Sequence, residues 1–140
     1  MNLYQANKTQ LGGTSYAEVM KNAHKTYNEV KRLTRRQSYV RSAYFNRDKV
    51  FINIFWNHLA QKRAADQVRR ARLLPAAIEL LRHTQIAPET IIENKYANDI
   101  LFRFSGITND GVKFYVQVRQ NKKTGRKDFM SVFPANSSVN

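Results

Sequence analysis

The chain has 140 residues and a formal net charge of +14, from 24 Lys and Arg against 10 Asp and Glu. A hydrophobic fraction of 42% beside 24% charged residues excludes wholesale disorder. The absence of cysteine excludes disulfide frameworks, thiol nucleophiles and thiolate metal sites, and no apolar run reaches bilayer length.

Residues 1–15 are polar, contain Gly12-Gly13 and read as a flexible start with no secretory h-region, so a cytoplasmic location is expected. From Tyr16 the spacing predicts a helix. Tyr16, Met20, Ala23, Tyr27 and Val30 share one face, and Ser15 is placed to cap it. Lys21, Lys25, Arg32 and Arg36 fall on another face, and the basic stretch continues through Arg35 to Arg41. This stretch reads either as a phosphate-tracking helix or as a solvated one. Residues 1–41 thus form a basic, mostly helical N-terminal extension, and residues 42–140 a single α+β domain.

Asp48 to Ile54 alternates as a strand. A short helix is expected from Phe55 to Ala65 and a longer one from Asp66 to His83. The second carries Leu73, Ala77, Leu80, Leu81 and Thr84 as its stripe. Pro75 splits that helix and fits the first turn of its second half. After Pro88 the period becomes two. Thr90–Glu93 is a short extended run, and strands follow at 100–105, 114–119 and 129–133. Asn109-Asp110-Gly111 makes a hairpin turn, Lys122 to Gly125 a second turn, and Pro134 stops the last strand before a polar tail at 136–140. The expected fold class is α+β, with N-terminal helices packed on a three- to four-stranded antiparallel sheet.

The charge calls for a polyanionic partner: nucleic acid first, with an acidic membrane or an acidic protein as alternatives. The ten acidic residues are scattered, and Glu93-Asn94-Lys95 supplies only half of an E-x-K nuclease motif. His24, His58 and His83 lack zinc spacing, so no metal and no cofactor is expected. Metal-free chemistry on RNA remains open, because RNA carries its own 2′-hydroxyl nucleophile. It needs a base, an acid and cations around phosphorus. His58 is the first candidate, with Lys62 one helical turn on. Arg103, Tyr115, Gln117, Arg119 and Ser131 can project from one sheet face, although strict alternation puts Ser131 with Phe129 and Phe133. Such a face binds phosphates and stacks bases, or is a plain solvated side of a sheet.

The string Phe55-Trp56-Asn57-His58, then Lys62-Arg63, Phe114-Tyr115-Val116-Gln117-Val118 and Met130-Ser131-Val132-Phe133-Pro134, covers a region from about Val50 to Pro134. In this order it resembles the barnase–EndoU–colicin–RelE group of metal-independent RNases, nearest its phage- and prophage-associated toxin domains. The resemblance implies an endoribonuclease toxin that cleaves tRNA or mRNA through 2′-hydroxyl attack and is restrained by an acidic antitoxin or immunity protein. It implies His58, Lys62, Tyr115 and Ser131 as the catalytic set. Arg63, Arg69, Arg72, Arg103, Arg119, Lys123 and Arg126 are expected to hold RNA. The alternative is a nucleic-acid-binding phage or plasmid accessory protein without chemistry.

Overall fold

The computed structural model describes residues 2–135, so the 136–140 tail lies outside the described residues. The chain is α+β, but its sheet is larger and mixed. Seven strands join: β1 (Tyr4–Gln5), β2 (Tyr39–Ser42), β3 (Asp48–Phe51), β4 (Thr90–Asn94), β5 (Asp99–Ile107), β6 (Lys113–Asn121) and β7 (Lys127–Pro134). Their order is β1-β5-β6-β7-β3-β2, with β4 pairing β5 as well. This corrects the expected three- to four-stranded antiparallel sheet. The β5-β6-β7 meander is antiparallel as read, but β3 joins β7 in parallel and β1 joins β5 in parallel.

The two added N-terminal strands have short local signals. β1 is two residues long, and its pairing with Gly106 and Ile107 is a contact across 102 residues of chain that no periodicity encodes. β2 alternates for only four residues inside the Arg-rich stretch read as helix. The segment 1–41, taken from sequence as an extension, thus contributes β1, a helix and most of β2 to the same sheet and core.

Four helices complete the described residues. α1 (Tyr16–Arg32) starts at Ser15, whose Oγ accepts from the Glu18 N–H at 3.2 Å, and Lys31 and Arg32 sit favourably at its C-terminal end. Its buried residues are Val19, Ala23 and Val30, whereas Tyr16 is exposed and donates its hydroxyl to Gln67. α2 (Phe55–Ala60), α3 (Ala64–Ala71) and α4 (Leu74–His83) follow, with Pro75 in the first turn of α4, where its missing N–H costs nothing. Leu73, Leu74, Ala77, Leu80 and Leu81 bury against the sheet.

Two features place the polar face. First, Val40, Val50, Phe129, Val132, Val118, Val116, Phe114, Phe102 and Phe104 point to the core, so their neighbours in each strand point the other way. Second, the register of β6 and β7 shifts between Gln117 and Val118, which leaves Met130 as a bulge. The bulge reverses the alternation within β7. Phe129 stays in the core, while Ser131 and Phe133 turn to the face of Gln117 and Tyr115. The grouping of Ser131 with Phe129 read from strict alternation is thereby corrected.

Candidate nucleic-acid interface

β3 pairs β7 only at Lys127 and Asp128. Beyond that point α2 and α3 pack along β7 in its place. Phe55 anchors α2, its ring stacked on Phe129 with centroids 5.1 Å apart. Trp56 ties α2 to α1, stacked on His24 at 3.9 Å and edge-on to Tyr27 at 5.5 Å. So His24 has a structural contact, and His58, two residues beyond Trp56, is carried to the margin of β7.

There His58, Lys62, Arg70, Met130 and Ser131 line a crevice of about 10 Å³, floored by Phe55 and Leu59. The His58 imidazole is held below its ordinary pKa by partial burial first, then by the positive charges of Arg119 and Lys62. It is therefore neutral at neutral pH and able to accept a proton. The Ser131 hydroxyl lies 3.5 Å from the Gln117 side-chain oxygen, at the outer limit of a hydrogen bond.

Arg70 is the residue that sequence reasoning missed. It is almost wholly buried, and its Nε donates to Asp66 at 3.0 Å. Its Nη2 is buried with no hydrogen-bond partner among the described residues. A guanidinium with one arm fixed and another unsatisfied, beside a histidine and a lysine, fits an anion's oxygen. In sequence it was one of several arginines in Arg69-Arg70-Ala71-Arg72, and only burial separates it from them.

Arg119, whose charge acts on His58, lines an open cleft of about 510 Å³ with Arg126, Asp99, Asn121 and Asp128. Asp128 pairs with both arginines, at 3.8 Å to Arg119 and 3.2 Å to Arg126. The volume lies in the range of small-ligand sites. Further along the same face Arg103 sets its guanidinium 5.3 Å from the ring centres of both Tyr115 and Phe133, and Arg70 is 5.3 Å from Phe133.

The structure thus brings His58, Lys62, Arg119 and Ser131 together, places Arg126 in the adjoining cleft, and puts Arg103 and Tyr115 on the same face. It separates the others. Arg72 donates to the backbone oxygens of Leu11 and Gly13 at 2.8 and 2.9 Å and so fastens the N-terminal segment. Arg69 is exposed and paired with Asp66 at 2.9 Å. Arg63 is exposed just before α3, and Lys123 is exposed in the β6–β7 turn. Glu93 is ion-paired with Lys122. Among the described residues no three His, Cys, Asp or Glu side chains are grouped as metal ligands, and no helix is long and apolar enough to cross a membrane.

Compared with protein-family models, curated proteins and solved structures, the chain matches none.

Proposed function

We propose that the protein cleaves RNA without a metal ion, using His58 as the base. The observation that carries this reading is the placement of His58 in one crevice with Lys62 and Arg70, where burial and the charges of Arg119 and Lys62 lower its pKa. A base beside several cations is what 2′-hydroxyl attack on a phosphodiester requires. His58 takes the 2′-hydroxyl proton. The 2′ oxygen bonds to phosphorus, and the bond to the 5′ oxygen breaks. Tyr115 donates the proton that this leaving oxygen takes up. The products are a 2′,3′-cyclic phosphate and a free 5′-hydroxyl. Arg70, Arg119 and Lys62 stabilise charge on the phosphoryl oxygens, and Ser131 orients one of them. Each such contact is worth about 2–4 kcal/mol in the transition state. The crevice admits no more than a phosphate edge, so the nucleotide itself lies in the cleft at Arg119 and Arg126. The net charge of +14 supports RNA as the substrate and an acidic protein as the restraining partner expected of a toxin.

The test is incubation of the protein with total RNA in EDTA beside His58→Ala. Metal-independent fragments that the variant fails to produce support the reading. The narrowness of the crevice favours a second reading, an RNA-binding protein without turnover. It is supported if both proteins bind RNA equally and leave it intact.

A further inference from the structure

A second surface is built as a binding site and is not used by the chemistry at His58. A groove of about 670 Å³ opens between the C-terminal end of α1 and the β2–β3 hairpin. Its walls include Leu33, Arg35, Arg36, Tyr39, Lys49 and Phe51. Tyr39 and Phe51 are directly opposite each other across the hairpin, as are Arg41 and Lys49. All four lie on the face turned away from Val40 and Val50.

This arrangement works against folding. Like charges directly opposite in a sheet are destabilising. No carboxylate offsets them: among the described residues Arg35, Arg36, Arg41 and Lys49 have no ion pair. Arg41 donates to the backbone oxygen of Arg47 at 3.0 Å. The neighbouring acid, Asp48, is engaged by Lys127 at 2.9 Å. Meanwhile the cations frame an aromatic ring. Lys49 Nζ is 4.6 Å and the Arg41 guanidinium 5.6 Å from the Tyr39 centroid, and the Arg126 guanidinium stands 4.0 Å over Phe51. Leu33 is 76% exposed at the rim.

We infer that this groove holds a single-stranded polynucleotide, one base stacked at Tyr39 and the flanking phosphates on Arg35, Arg36 and Lys49. An aromatic ring bordered by unpaired cations is the chemistry that recognises a base and its backbone. The groove and His58 share one face of the sheet. Phe51 pairs with Asp128 across β3 and β7, and Asp128 opposes Arg119, whose charge acts on His58. Three strand spacings separate β2 from β6, roughly 14 Å. A strand held at Tyr39 therefore runs toward His58. The binding at Tyr39 stands whether or not His58 performs chemistry.

The probe is a short fluorescein-labelled 2′-O-methyl oligouridylate, which a 2′-hydroxyl-dependent nuclease cannot cut, with oligothymidylate as the DNA arm. Anisotropy is read over a range of salt for the full chain, Tyr39→Leu, Tyr39→Phe, Arg35→Gln/Arg36→Gln, and Lys21→Gln/Lys25→Gln. The last pair removes the same charge from exposed positions on α1. Tyr39→Leu is expected to weaken binding about 5- to 100-fold, and Tyr39→Phe to restore it. Arg35→Gln/Arg36→Gln should lower the slope of log affinity against log salt by about 1.4. Equal losses in the α1 pair and the groove pair would overturn the inference. So would unchanged affinity in Tyr39→Leu. Loss of binding to phosphatidylserine vesicles in the groove variants, with oligonucleotide affinity retained, would overturn it in favour of a lipid surface. Should Tyr39→Leu fail to fold, the exposed arginine pair decides the matter alone. Similar affinity for both oligonucleotides would identify single strands in general as the ligand, and preference for the ribose form RNA.

Discussion

Asp66 holds the Nε of Arg70 at 3.0 Å within α3, while the Nη2 of the same guanidinium is buried with no hydrogen-bond partner among the described residues. The pair is therefore satisfied on one side and lacks an acceptor on the other. Asp66→Ala leaves a buried charge uncompensated and should lower stability by about 3–5 kcal/mol. Arg69 joins the same carboxylate from a half-exposed position, and Arg69→Ala should cost less than about 1 kcal/mol. Thermal unfolding distinguishes these. Arg70→Met leaves the buried Asp66 carboxylate only its pairing with Arg69 and should also lower stability, by up to about 3–5 kcal/mol; in the folded fraction it should lose RNA cleavage about 100-fold.

The pH dependence of the reaction should follow His58. The unfolded chain binds a proton near 6.5, whereas the folded ring does so lower, because of burial, then Arg119, then Lys62. The acid limb of kcat/KM is thus expected below pH 6.5. The same group contributes stability that is full above 6.5 and declines as pH falls from there toward the folded value. Lys62→Met should raise the ring's pKa only part of the way back, since burial and Arg119 remain. A proton NMR titration of the His58 ring checks the direction.

Glu79 clamps the N-terminal segment. Its carboxylate accepts from the Tyr4 hydroxyl at 2.7 Å and from the backbone N–H groups of Asn7 and Lys8 at 3.0 Å. Burial raises its pKa, but these hydrogen bonds outweigh that and hold it below the ordinary 4.5. The contribution is therefore present above 4.5 and lost as pH falls through the folded value. Glu79→Gln should cost about 1–3 kcal/mol and speed amide exchange at Asn7 and Lys8 before the rest of the sheet.

How much of this was legible in the sequence depended on the range of the signal. The capping of α1 by Ser15, the break at Pro75 and the β5–β6 turn at Gly111 were local and readable. The parallel pairings of β1 with β5 and of β3 with β7 were not, since they join distant segments through backbone bonds. At the site, His58 and Lys62 were legible from one helical turn. Ser131 was readable as a residue but not as a face, because a bulge at Met130 has no sequence signature. Arg70 was invisible because its burial is a tertiary fact, and Arg72 misled because its partners, Leu11 and Gly13, lie 61 and 59 residues away.

Gly106 marks a close approach of the sheet to α4. A Cβ there would come within 2.9 Å of the Phe114 ring and 3.0 Å of Leu80 Cδ1. Gly106→Ala should therefore destabilise by about 1–3 kcal/mol through overpacking, read in urea denaturation. RNA affinity at the opposite face should be unchanged in the folded fraction.

The most direct measurement sets an RNA oligonucleotide beside its uniformly 2′-O-methylated counterpart, both with the purified protein in EDTA, and identifies the products by mass. The expected result is fragments ending in 2′,3′-cyclic phosphate from the RNA and none from the methylated strand. Intact RNA, cleavage of the methylated strand, or cleavage that appears only when Mg²⁺ is restored would contradict a metal-independent reaction driven by the 2′-hydroxyl.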